Sequence, residues 1–207
     1  MKLRSIQFIV SLCLVSMSLS VIAEGSCKPD QSIKHQKIKK IAPDAQALLA
    51  KVVKDKINFQ WPVKECKCWL SSLFGMRKSG FHNGLDLAAI KGTPVYVVAD
   101  GQVEAAIKST DPKGYGNMIF VNHVQAGYKT RYAHLDSIQV KQGDLVMRGQ
   151  QIGTVGATGH VISKHATSDP SHLHFEVYRG QTRINPLIAL FAADPAWVAK
   201  NLPSRQQ

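Results

Sequence analysis

Ser171-His172-Leu173-His174-Phe175-Glu176-Val177 is the stretch on which the fold reading turns. In an extended chain, successive side chains point to opposite faces. His172, His174 and Glu176 then share one face, and Leu173, Phe175 and Val177 share the other. The apolar set requires a core to enter, and the polar set faces a cleft or solvent. Two imidazoles on one face can approach a single ion or a single substrate group. The plainer reading is a solvated strand face with two incidental histidines, and the dyad alone does little better than that.

Working outward, the same period recurs from Trp61 to about Pro186. Short apolar runs at Val95 to Val98, Gln102 to Ile107, Asn117 to Asn122, Lys129 to His134, Ile152 to Val155 and His172 to Tyr178 read as strands. Gly92-Thr93-Pro94, Asp100-Gly101, Gly114-Tyr115-Gly116 and Gly156 to Gly159 supply turns between them. The pattern predicts a mostly β domain built on antiparallel strands, without internal repeats. Before it, Pro43-Asp44 opens a helix, with Pro at the start and an acid in the first turn. Ala45, Leu48, Leu49, Val52 and Val53 form its single apolar stripe, suited to packing on the main domain rather than covering a site. The tail after Pro186 reads as one or two helical turns.

Two further elements carry chemistry. In His82-Asn83-Gly84-Leu85-Asp86 the imidazole and the carboxylate lie on one side of a strand or a helix, and Gly84 permits a tight backbone approach between them. Both groups are suitable Zn²⁺ donors, and a catalytic zinc needs three protein ligands and one open position. His82, Asp86 and one histidine of the dyad supply that number; spacing alone does not say which of His172 and His174 it is. Tyr132-Ala133-His134 places a third imidazole at a strand end, where a neutral ring near a metal can move a proton. Each element has a plainer reading: a capping carboxylate beside a surface histidine, and a partly buried structural histidine.

Taken together, His82-x-x-x-Asp86, Tyr132-Ala133-His134 and His172-Leu173-His174 resemble the LytM or lysostaphin-type zinc metallopeptidases in order and spacing. Trp61-Pro62-Val63, Phe74-Gly75-Met76-Arg77, Gly92-Thr93-Pro94-Val95, Ala99-Asp100-Gly101, Gly143-Asp144, Gln151-Ile152-Gly153, Thr158-Gly159 and Asn185-Pro186-Leu187 extend the likeness from Trp61 to about Leu190. The resemblance implies an antiparallel, sandwich-like β-sheet with an open groove. It implies zinc held by His82, Asp86 and His174, with His134 and His172 as the non-ligand catalytic pair. It implies peptidoglycan as substrate, through cleavage of cross-links or stem peptides, with the D-alanyl to diaminopimelate cross-link leading. Two segments depart from the family pattern: Glu65-Cys66-Lys67-Cys68-Trp69, and a longer run from Val161 to Asp169 that adds His165 after His160. His160, His165, His35 and His123 take the plainer readings.

The ends of the chain bear on its surroundings. Lys2 and Arg4, an apolar run from Ile6 to Val15 and Val21-Ile22-Ala23 describe a cleavable secretory leader over 1–23. The layout is then a basic arm and helix over 24–60, a peptidase domain over 61–190 and a tail over 191–207. Losing the leader takes the net charge from +12 to +10. Such an excess favours anionic polymers of the cell envelope, and no aromatic-basic stripe suggests nucleic acid. No later run is long enough to span a bilayer, so the expectation is a periplasmic protein without stable membrane insertion. Cys27, Cys66 and Cys68 remain after leader removal, which in an oxidising compartment gives one disulfide, Cys27 pairing with either of the others. Nothing in the sequence sets an oligomeric state. A regulator that activates a wall amidase is the competing function, and the filled ligand positions argue against it.

Overall fold

A computed structural model describes residues 43–64, 67–162, 169–194 and 196. In chain order the described elements are helix α1 (Pro43–Lys54) and strands β1 (Trp69–Ser72), β2 (Gly75–Arg77), β3 (Gly80–His82), β4 (Leu85–Ala88), β5 (Pro94–Tyr96) and β6 (Gly101–Ile107). There follow β7 (Asn117–His123), β8 (Tyr128–Ile138), β9 (Leu145–Val146), β10 (Gln151–Val155), β11 (His172–Arg179), β12 (Thr182–Ile184) and helix α2 (Pro186–Phe191). One antiparallel sheet runs β1-β4-β11-β8-β7-β6-β9, and β2 and β3 form a separate hairpin. The mostly β, antiparallel fold expected from the period-2 pattern is what the chain adopts.

Two long strands each divide one edge between two partners, and this organises the molecule. β11 pairs with β4 through His172 to Phe175 and with β12 through Val177 to Arg179. β8 pairs with β11 up to Ala133, then with β10 from Leu135. The change of partner falls at His134, whose φ of 59° lies in the left-handed region. Against β7 the register runs Tyr132↔Ile119 and then Leu135↔Asn117, so Ala133 and His134 together oppose Met118. That is a β-bulge, one extra residue that bends the strand and re-aims its side chains.

The core forms on the apolar side of this sheet. Leu173, Phe175, Val177, Leu85, Leu87 and Tyr132 are all fully buried. α1 adds Leu49 and Val52, also fully buried, each contributing roughly 1.5–3 kcal/mol by leaving water. The plainer expectation for this helix, that it packs on the main domain, holds. Its end is tied by Asp55, whose carboxylate accepts from Arg179 Nε at 3.0 Å and the Tyr128 hydroxyl at 2.8 Å. Arg179 and Tyr128 are cross-strand partners at the end of β11 remote from His172. At about 3.3 Å per residue, the five steps from His174 to Arg179 put that tie roughly 17 Å from the dyad. α2 starts on Asn185, whose Oδ1 accepts from Leu187 N at 3.1 Å, with Pro186 at the first position.

His123 is 1% exposed and belongs to the core. Its Nδ1–H donates to the Asp100 carbonyl at 2.8 Å, so its Nε2 accepts from the Thr130 hydroxyl at 2.9 Å. Burial pushes its pKa down, opposed by the Asp100 carbonyl, and the ring is held neutral. Cys68 is buried; Cys27 and Cys66, and with them the expected pairing, lie outside the described residues, as do His35 and His165.

Candidate metal centre

On the polar side of the sheet, Asp86 and His174 sit directly opposite one another on β4 and β11. His82 reaches them from the end of the β2–β3 hairpin. The turn between β3 and β4 has to pass against β11, and Gly84 allows it. A Cβ at that position would meet the Phe175 carbonyl oxygen at 2.6 Å and the His174 ring at 2.8 Å. The tight approach expected at Gly84 is therefore an approach to β11 itself.

Three atoms converge. His82 Nε2 lies 3.0 Å from Asp86 Oδ1 and 3.1 Å from His174 Nδ1, and His174 Nδ1 lies 2.8 Å from Asp86 Oδ1. All three residues are largely buried. Each is fixed from behind. His82 Nδ1–H donates to the Leu73 carbonyl at 2.7 Å, His174 Nε2–H donates to Glu176 Oε1 at 3.1 Å, and Arg77 Nη2 donates to Asp86 Oδ2 at 3.0 Å.

These outward bonds test whether a cation suits the place. With each ring's proton spent on its rear partner, the inward atoms carry lone pairs, and three lone pairs about 3 Å apart repel unless positive charge lies among them. Burial favours a neutral Asp86, yet His174 and His82 outweigh it and hold the carboxyl far below its ordinary value. Burial likewise disfavours a charged His174, but Asp86 and Glu176 raise its pKa. The cluster draws in positive charge, as a proton or a metal ion. A tetrahedral zinc with bonds of about 2.0–2.1 Å spaces its ligand atoms roughly 3.3 Å apart, close to the observed edges. The donor set fits.

His134 and His172 border this triangle. The bulge in β8 turns His134 out of the core side, where strict alternation with Tyr132 would have placed it. Its ring lies 4.8 Å from that of His172 and 5.9 Å from that of His174. Its Nδ1–H donates to the Thr158 carbonyl at 2.8 Å, leaving Nε2 with a lone pair. Burial, aided by the two nearby histidines and opposed by Thr158, lowers its pKa to about 4, so the ring is neutral at pH 7. His172 Nδ1–H donates to the Pro170 carbonyl at 3.0 Å, and its Nε2 stands 3.8 Å from Asp86 Oδ1. All five residues singled out in the sequence thus meet in one place.

A model of Peptidase family M23 matches residues 80–186, more than half of the 207 residues. The chain belongs to peptidase family M23. Among its relatives, the peptidoglycan DD-endopeptidase ShyB of Vibrio cholerae is 43% identical over 126 residues, 61% of this chain and 26% of ShyB. The murein hydrolase activator NlpD of Escherichia coli is 36% identical over 131 residues, 63% of this chain and 30% of NlpD. The M23 chain therefore spans less than a third of either relative. A crystal structure of a zinc-containing peptidase from Vibrio cholerae superposes with a TM-score of 0.52 at 37% identity, covering 64% of this chain and 39% of that one. The resemblance to LytM-type peptidases read from the motifs is thereby shown, in family and in fold.

Sequence reading gave no role to the residues that hold the five in place. Alternation alone puts Glu176 on the dyad's face, and Arg77 stands only within a flanking motif. The carbonyls of Leu73, Thr158 and Pro170 leave no mark in residue identity, since any residue supplies one.

Proposed function

We propose that this M23 protein is a zinc-dependent endopeptidase that hydrolyses peptide bonds in peptidoglycan cross-links or stem peptides. The observation that carries it is the triangle of His82 Nε2, Asp86 Oδ1 and His174 Nδ1, in which both imidazoles spend their outward protons on rear partners and Arg77 holds the far oxygen of Asp86. These atoms would hold the ion. Bound there, zinc supplies Lewis acidity toward a carbonyl oxygen and makes water a nucleophile near neutral pH.

The protein's own residues handle protons and orientation. His134, neutral at pH 7 and fixed through Nδ1 on the Thr158 carbonyl, accepts a proton from the attacking water at Nε2 and passes one to the departing amine. His172 faces the same point and shares this traffic, its Nε2 donating to the oxygen on which charge grows once it has taken up a proton. The named activity of ShyB and the net positive charge of the chain both support a peptidoglycan substrate. Export to the periplasm, with residues 1–23 as leader and 61–190 as the peptidase domain, completes the reading. Among the described residues no helix is long and apolar enough to cross a membrane.

Similarity to NlpD favours a second reading, a regulator that activates a separate wall hydrolase. Incubating the chain from Glu24 with zinc and purified cross-linked muropeptides, followed by mass spectrometry, separates the two. New monomeric products that vanish with chelator or in His174→Ala support the endopeptidase. Intact cross-links throughout would refute it.

A further inference from the structure

On the polar face of β11, two residues beyond His174, lies Glu176, with no exposed surface. A buried carboxylate is costly unless its charge is matched and its oxygens are hydrogen-bonded. Here every direction is filled. Oε1 accepts from His174 Nε2 at 3.1 Å and from Arg131 Nη1 at 3.3 Å. Oε2 accepts from the Tyr178 hydroxyl and from Arg183 Nε at 3.3 Å, and forms an ion pair with Arg131 Nη1 at 3.2 Å. Arg131 is held in turn between rings, its guanidinium carbon 4.4 Å from the centre of Tyr115 and 4.5 Å from that of Phe120. It reaches Glu176 as its direct cross-strand partner on β8.

Two guanidiniums and one hydroxyl are more than a lone carboxylate needs for solubility in the fold, and only one of its partners points toward the site. A simpler core would put an apolar residue here and dispense with the whole group. What the group achieves is a fixed anion behind His174, holding its proton on Nε2 and its lone pair on Nδ1. Such outer partners set ring orientation and ligand basicity, and their loss weakens metal affinity about 10–100-fold.

We propose that Glu176, braced by Arg131, Arg183 and Tyr178, is a positioning residue that fixes the tautomer of His174 and thereby sets the affinity of the His82–Asp86–His174 site for zinc. The proposal rests on the metal reading above, and its test separates the two. Zinc affinity is measured by competition with a chromophoric chelator, on wild-type protein and on Glu176→Gln, alongside thermal unfolding of both in chelator. The expected result is tight binding by wild type and affinity lower by about 10–100-fold in the variant. A purely structural role for Glu176 would lower the unfolding temperature of the metal-free protein and leave zinc affinity unchanged, which would overturn the proposal. Absence of zinc binding by wild type would instead remove the metal reading on which it stands. Should the variant fail to fold, imidazole ¹⁵N spectra of zinc-loaded wild type decide. A protonated Nε2 and a metal-shifted Nδ1 on His174 support the proposal, and the opposite tautomer refutes it.

Discussion

At the scale of single residues, the five site positions divide by what their loss should do. Asp86→Ala removes an inward oxygen and should abolish stable zinc binding, read by metal analysis after gel filtration. His134→Ala leaves the triangle whole. Zinc content should persist while muropeptide cleavage falls about 10²–10⁴-fold, the usual share of a general acid–base group; equal loss of metal in that variant would contradict the assigned role. Gly84→Ala drives a methyl into the Phe175 carbonyl and the His174 ring. It should cost about 1–3 kcal/mol in denaturant unfolding, the usual range for overpacking, and weaken zinc binding together with it. Why His174 rather than His172 enters the triangle was not legible, because both share one face of β11. The choice follows from which residue lies opposite Asp86, and cross-strand register is a long-range property.

At the scale of elements, β11 was readable because its alternation is unbroken over Leu173, Phe175 and Val177, all with core to enter. β4 was not: Leu85-Asp86-Leu87-Ala88 is short and carries one polar residue in four. The brief strands β1, β2, β3, β9 and β12 likewise offer too few residues for a period to show. The extension of β8 past His134 was also missed, since the bulge interrupts alternation where the strand changes partner. The left-handed backbone of His134 gives a prediction. A non-glycine residue there costs roughly 1 kcal/mol, so His134→Gly should unfold at higher denaturant than His134→Ala. The reverse order would argue that the bulge forms without strain.

At the scale of the whole molecule, the core expected from the apolar pattern is present, closed on one side by α1 and α2, and the site occupies the other side. Stability should depend on pH through His123. Its folded pKa lies below the ordinary value of about 6.5, so on acidification the unfolded chain takes up a proton that the fold refuses. The neutral ring's contribution is complete above about pH 6.5 and is lost as pH falls from there toward the lower folded pKa. His123→Gln should flatten the fall in unfolding free energy between pH 7 and pH 5, and an unchanged slope would exclude the ring as its source. Chelation should lower the unfolding temperature as well, since an ion bound only by the folded state stabilises it by mass action.

The convergence of His82, Asp86 and His174 has a consequence for the lifetime of the protein where metal is scarce. Copies lacking the ion keep three electron-rich atoms crowded together, and β3, β4 and the start of β11 lose their shared clasp. That corner should open first, offering proteases a cut that loaded copies resist. Metal supply would then govern how many molecules survive as well as how fast each one works, and limited proteolysis with and without zinc would display the difference as fragments ending near residues 82–86.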